Sequence, residues 1–348
     1  MEETKASGPP AASVQETLIH RRMQELYDEY HLSPVQRIAA QKFISSTIVD
    51  PTNQSVAHVR EWLLFWINRK KVPPCDPRQR GCPEIIPGLR ASPWWDRTEF
   101  PWIAELEALY PVIREELLAL KHLGGFQPYR GPSYAVGIPS PDIGTQSHDA
   151  GDWNVFYLFL HGLSFEENCA KCPRTVEAIK TIIPRHYEHA FFSAVNPGTH
   201  ILNHWGPTNK KLRLHFSLIG SEGTRLRARD DVGVFEEGRA RVFDDSFDHE
   251  AWHDGSTTRI NLIIDFWHPD LSDEEVKFMS YLQKAKIRAE KKMTSSEEDT
   301  FYSVIERAKA LRPEDSSWWS LSAEDEAKIR AAEEIDAPPA PDTVVSES

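Results

Sequence analysis

The 348 residues include only 4 cysteines and 4 methionines, no apolar run near the roughly 20 residues a membrane helix needs, and no surplus of basic side chains. So few cysteines exclude a small disulfide-framed scaffold. With 40 Lys and Arg against 53 Asp and Glu, the formal net charge of -13 excludes a general binder of nucleic acid or anionic membranes, which reward clustered basic residues. The opening MEETKASGPPAASVQE has neither the basic region nor the apolar core of a signal peptide. The expectation is a soluble, cytoplasmic chain with no nucleic-acid or membrane partner. What the sequence does have is a hydrophobic fraction of 40%, with 11 Trp and 16 Phe, enough for a large core in one to three domains.

Residues 1–13 are small and polar and read as a disordered lead. A helical region and loop follow over 14–90. Val14, Leu18, Met23, Leu26, Tyr27 and Tyr30 recur at helical spacing, Ser33-Pro34 caps a second helix, and Val59, Trp62, Leu63 and Trp66 make a third face. CDPRQRGCPEIIPGL reads as a loop, and Phe100 to Leu120 as one amphipathic helix before a Gly- and Pro-rich stretch at 124–151.

The period then changes. WNVFYLFL from 153, AFFSAV from 190, LRLHFSLI from 212, TRLRAR from 224, RARVF from 239 and RINLIIDF from 259 have strand character, with one helix near Arg174 to Ile182. Many short strands between turn residues predict a barrel or jelly roll, assigned to 91–275. A charged helical extension over 276–320 and an acidic flexible tail over 321–348 complete the chain. Cys75 with Cys82 and Cys169 with Cys172 are compatible with disulfides, a zinc site or plain thiols.

Chemistry concentrates in the strand-rich part. In LRLHFSLI, alternation sends Leu212, Leu214, Phe216 and Leu218 to one face and Arg213, His215 and Ser217 to the other. Arg259, Asn261, Ile263 and Asp265 likewise share one side of RINLIIDF. An arginine inside a barrel needs a bound anion or a fixed carboxylate. THILNHWGPTN and FDDSFDHEAWH place imidazoles where a barrel mouth would be, and imidazole suits Fe, Zn, Cu or Ni. His249-Glu250-Ala251-Trp252-His253 also matches H-E-x-x-H, a zinc-protease pattern that needs a helix. Its surroundings, rich in Asp, Gly, Ser and Thr, lack a helical pattern.

Several ordered blocks carry a resemblance: Pro93-Trp94-Trp95-Asp96, Gly151-Asp152-Trp153, CAKCPRT, FSAVNPGTHILNHWGPTNKKLRLHFSL, FDDSFDHEAW, Arg259 and IIDFWHPDLSDEE. Together they resemble the aspartyl/asparaginyl β-hydroxylase domain. The resemblance implies a mainly β catalytic core, a double-stranded β-helix (jelly roll, cupin-like) with helical N- and C-terminal additions. It also implies an oxygenase using Fe(II), 2-oxoglutarate and O₂ and releasing succinate and CO₂. By position, His204 and His249 would hold the iron. Arg213 and His215 would contact the oxalyl end of 2-oxoglutarate, Arg259 and Ser193 its distal carboxylate, and Trp153 would lie against the same pocket.

The carboxylate that most such oxygenases carry two residues after the first histidine is Gly206 here, an absence the family shares. Asp244 and Asp245 read as loop residues near the metal rather than ligands. Lys211 stands where family members tend to carry Arg, a candidate for a substrate carboxylate. The expected substrate is an Asp or Asn side chain of a peptide or protein. The alternatives are a small amino-acid-like molecule, or a catalytically silent cupin-like binding protein.

Overall fold

The computed structural model describes residues 11–131, 147–293, 300–315 and 317–336. Three helices lead: α1 (Ala11–Glu29), α2 (Pro34–Val49) and α3 (Ala57–Ile67). Ser33 caps α2 as its sequence suggests, its hydroxyl accepting from the Gln36 amide while the Gln36 side chain reaches back to the Ser33 amide. The helix expected from 100 to 120 is two, α4 (Ile103–Ala108) and α5 (Tyr110–Leu123), because Pro111 cannot continue α4 but suits the first turn of α5. Short strands β1 (Trp94–Trp95) and β2 (Gln127–Pro128) flank them.

The barrel strands are β3 (His148–Ala150), β4 (Trp153–Leu160), β5 (Leu163–Ser164), β6 (His186–Val195), β7 (Thr199–His204), β8 (Lys211–Ile219), β9 (Thr224–Ala228), β10 (Asp231–Val234), β11 (Ala240–Phe243), β12 (His249–His253) and β13 (Arg259–Trp267). Helices α6 (Glu166–Lys171) and α7 (Pro173–Ile182) interrupt them. Strands pair antiparallel in two sheets, one ordered β1-β11-β8-β13-β6-β4-β2 with β5 beside β4, the other β10-β9-β12-β7-β3. Face to face they make a double-stranded β-helix, the jelly roll expected from the strand-rich sequence.

Every residue of β4 and β13 is buried, because both faces of the large sheet are covered. Ile260, Leu262, Ile264 and Phe266 pack outward with Ile103, Leu106, Ile113, Leu117 and Ile179 of α4, α5 and α7. Ile263 turns inward to Tyr157, Phe191, Leu226 and Ala251 of the opposed sheets. A separate apolar cluster joins α1–α3 to α8 (Asp273–Lys292) through Leu26, Trp62, Leu63, Trp267, Phe278 and Leu282. Two helices follow, α9 (Phe301–Ala308) and α10 (Ala323–Asp336).

Three expectations change. The lead read over 1–13 is already helical from Ala11, its first ten residues lying outside the described ones. The tail read as flexible from 321 contains α10, where Asp325 pairs with Arg114 and Ile329 is buried, with 337–348 outside the described residues. The Gly- and Pro-rich stretch is described on either side of 132–146 and includes β2 and β3.

Candidate functional site

Strand register brings His204 and His249 together. They are directly opposed Cα partners on β7 and β12, and their rings lie 4.1 Å apart between centroids. His204 Nδ1 lies 2.7 Å from the Leu202 carbonyl and His249 Nδ1 2.9 Å from the Phe247 carbonyl. A carbonyl only accepts, so each Nδ1 carries the proton and each Nε2 keeps a bare lone pair. Burial holds both imidazoles below the usual histidine pKa, His249 well below, which keeps them neutral. Two neutral, pre-oriented imidazoles with free Nε2 atoms fit a divalent metal. Among the described residues no group of three or more His, Cys, Asp or Glu is arranged to hold one.

The H-E-x-x-H pattern lies on β12, a strand. Four residues of strand separate its two histidines by about 13 Å. His253 also has both nitrogens engaged, Nδ1 with the Thr224 hydroxyl at 2.9 Å and Nε2 with the Thr257 carbonyl at 2.7 Å. Glu250 turns away to Arg227 and His200.

Gly206 needs its missing side chain. A Cβ there would lie 2.5 Å from Asp245 Cγ, so the space of an acid two residues after His204 is taken by the Asp245 carboxylate. The Gly206 amide donates to the Asp245 carbonyl at 2.6 Å, while Asp245 Oδ1 is buried without a partner among the described residues.

Lys211 and Arg213 behave differently from expectation. Lys211 is 1% exposed, and its Nζ sits 2.7 Å from Asp245 and 3.2 Å from Asp265. Its ammonium is already matched by fixed carboxylates, which displaces it from the expected role at a substrate carboxylate. Arg213 grips Asp265 with Nε and Nη2 at 2.7 and 2.9 Å, and Nη1 lies 3.3 Å from Asp245. Burial works against its charge, but Asp265 and Asp245 outweigh that and hold its pKa well up. His189 completes the cluster on Asp265 at 3.0 Å. A fixed carboxylate, one of the two solutions open to an interior arginine, therefore neutralises Arg213.

Arg259 has the other problem. It is 2% exposed, its Nε and one Nη are buried without partners among the described residues, and burial pushes its pKa down to about 10. Around it, Asn261 has no partner among the described residues at either amide atom, nor do Ser217 Oγ and His215 Nδ1. Register explains the cluster: Asn261 lies between Ser193 on β6 and Ser217 on β8, and Ile263 lies opposite His215. Ser193 Oγ accepts from the Trp153 indole at 3.0 Å. Burial and the neighbouring Arg259 and Arg213 hold His215 neutral, and Phe243 touches both His215 and His249. Each unmet buried polar group costs about 1–3 kcal/mol, and a group of them at one place offers hydrogen-bonding capacity that a polar ligand rich in acceptors, such as a carboxylate, would fit. Asn261 and Ser217 had not been singled out as site residues, although alternation already placed them on the faces of Arg259 and Arg213. The four cysteines are free thiols, and burial raises the Cys172 pKa to about 12.

Residues 107–269 match the sequence model of the Aspartyl/Asparaginyl beta-hydroxylase family. The human aspartyl/asparaginyl beta-hydroxylase is 34% identical over 197 residues, 55% of this chain and 24% of that protein. The ornithine lipid ester-linked acyl 2-hydroxylase of Rhizobium tropici is 38% identical over 188 residues, 52% of this chain and 62% of that one. The human aspartate beta-hydroxylase domain-containing protein 2 is 36% identical over 143 residues, 39% of each. The chain thus spans about a quarter of the first relative's length and less than two thirds of the others'. A solved cupin 2 barrel protein from Rhodopseudomonas palustris overlaps 41% of this chain at 9% identity and a TM-score of 0.25, too slight to bear on a fold already defined by strand pairing. Across residues 107–269, a little under half of its length, the chain is thus similar to the aspartyl/asparaginyl β-hydroxylase family.

Proposed function

We propose that the barrel is an Fe(II)- and 2-oxoglutarate-dependent hydroxylase that converts a C–H bond to C–OH, consuming O₂ and 2-oxoglutarate and releasing succinate and CO₂. The observation that carries the reading is the pairing of two neutral imidazoles with free Nε2 atoms, His204 and His249, beside a buried cluster of unmet polar groups ending at Arg259. Iron, when bound, supplies the redox chemistry that activates O₂. The protein's own share is placement. His204 and His249 hold the metal through Nε2, with the Leu202 and Phe247 carbonyls fixing each ring. Arg259, with Ser193, binds the distal carboxylate of the cosubstrate, giving the buried guanidinium the anion it lacks. His215 and Arg213, whose charges bear on His249, would meet the oxalyl end of the cosubstrate, and Trp153 orients Ser193. Tyr157, Phe191, Phe243 and Ile263 belong to one buried apolar cluster in the barrel interior, which would limit water there.

The substrate is an Asp or Asn side chain of a peptide or protein. Because Lys211 and Arg213 are already neutralised, an uncharged amide suits the site better than a carboxylate. Purified protein given Fe(II), ascorbate, O₂ and 2-oxoglutarate is expected to form succinate, and His204→Ala and His249→Ala are each expected to lose it. Failure of the wild type to bind both metal and 2-oxoglutarate would leave a silent binding barrel and overturn the proposal.

A further inference from the structure

The loop between α3 and the barrel lies outside the segment that matches the family, yet it touches both segments that carry the paired histidines. Asp244, Asp245, Ser246 and Phe247, the run leading into His249, have no exposure to solvent. A buried loop must find partners for its polar groups. Here they come from Gln79, itself wholly buried, whose amide nitrogen donates to Ser246 Oγ at 2.8 Å and Asp244 Oδ2 at 3.2 Å. Its other end is fixed too, because Gln79 Oε1 accepts from the Asp76 amide at 2.9 Å.

The same loop grips the segment after His204. The Trp205 indole donates to the Arg78 carbonyl at 2.9 Å and lies so close over Gly81 that a Cβ there would collide with the ring. Two residues on, the Glu84 amide donates to the Pro207 carbonyl at 3.1 Å, and the Asn209 side chain brackets Ile86, accepting from its amide at 2.7 Å and donating to its carbonyl at 3.0 Å. One short strap therefore ties the chain entering His249 to the chain leaving His204.

We propose that residues 76–86 are a positioning strap for the metal site, with Gln79 as the residue that fixes His249 relative to His204. The inference rests on the reading of those histidines as metal ligands. Gln79 touches neither metal nor substrate; it acts through Asp244 and Ser246.

The test is a titration of the full-length protein with Co(II) alone, reading affinity and the visible absorption bands that report coordination geometry. Gln79→Ala and the similarly sized Gln79→Met are expected to weaken Co(II) binding about 10-fold or more and to alter the bands. Ile179→Ala, on α7 in the apolar cluster outside the large sheet that holds no residue of 76–86, lowers the melting temperature as a control and is expected to leave both readouts unchanged. If Gln79→Ala fails to fold, Gln79→Met carries the test, and Ser246→Ala repeats it from the other side of the bond. Wild-type affinity and spectrum in these variants would overturn the strap and leave the metal reading standing, as would equal weakening in Ile179→Ala. Absence of Co(II) binding by the wild type, or binding indifferent to His204→Ala, would overturn the metal reading and the strap with it.

Discussion

Arg213 and Arg259 are indistinguishable along the chain, each being a guanidinium on the inward face of a strand. In space they differ completely. Arg213 has two carboxylates within ion-pair distance, whereas Arg259 has none among the described residues and its pKa falls to about 10 through burial. A buried charge without a counterion weakens the empty protein and is repaid only when an anion arrives. Arg259→Met is therefore expected to raise the melting temperature of the ligand-free protein, by the equivalent of about 1–3 kcal/mol. The same variant should abolish the stabilisation that wild type gains from 2-oxoglutarate, and paired thermal scans with and without it check both. Gly206 carries the same lesson at the scale of one atom. The sequence shows only that an acid is missing; the structure shows Asp245, from another loop, in the space.

Among the elements, β12 shows how a motif misleads when its secondary structure is wrong. HEAWH reads as a metal-binding helix turn only if the chain is helical, and pairing with β7 and β9 makes it a strand whose one free imidazole nitrogen of interest belongs to His249. Strands β7 and β12 were legible only as polar segments near strand ends, because their histidines, Asn203 and Glu250 break the apolar alternation that marks β4, β8 and β13. Helix α8 is the opposite case, since Ser272 and Glu275 spell out its capping box in the sequence. Tertiary structure adds a second duty: Glu275 also accepts from the Val59 amide at 3.0 Å and lies 3.1 Å from His58 Nδ1, fastening α8 to α3. Glu275→Ala removes the other half of the capping box and leaves the buried Val59 amide unmet. It is expected to lower stability by about 2–3 kcal/mol in urea unfolding, against about 1 kcal/mol for Ser272→Ala, which removes one partner of the box.

For the molecule as a whole, acid is the expected weakness. His268 is fully buried between the Arg90 carbonyl, to which Nε2 donates at 3.1 Å, and the Asp270 amide, which donates to Nδ1 at 3.2 Å. Burial lowers its pKa to about 4, and His186 is lowered to about 4 for the same reason. In the unfolded chain both return to about 6.5, so between pH 6.5 and 4 the unfolded state binds more protons and stability falls as pH falls. Urea midpoints are expected to be flat just above that window and to drop through it, and His268→Gln should remove part of the slope, on the order of 2 kcal/mol across the window. Asp265, held well below the usual carboxylate pKa by Arg213 and Lys211 despite burial, contributes stability that is lost only at lower pH, so the two effects separate.

The amino-acid sequence by itself determined the strand-rich barrel, the inward faces of β8 and β13, and the helices flanking them, because alternation and helical spacing are local properties that burial must respect. It also fixed which imidazoles and arginines were available. Only tertiary structure decided which of them meet. Register set His204 opposite His249, paired Lys211 and Arg213 with Asp245 and Asp265, left Arg259 and Asn261 unmet, and laid Gln79 across the loop before His249. Such pairings join residues tens to more than a hundred and fifty positions apart, where neither spacing nor propensity reaches, and each is settled by the packing and hydrogen-bond requirements of the folded interior.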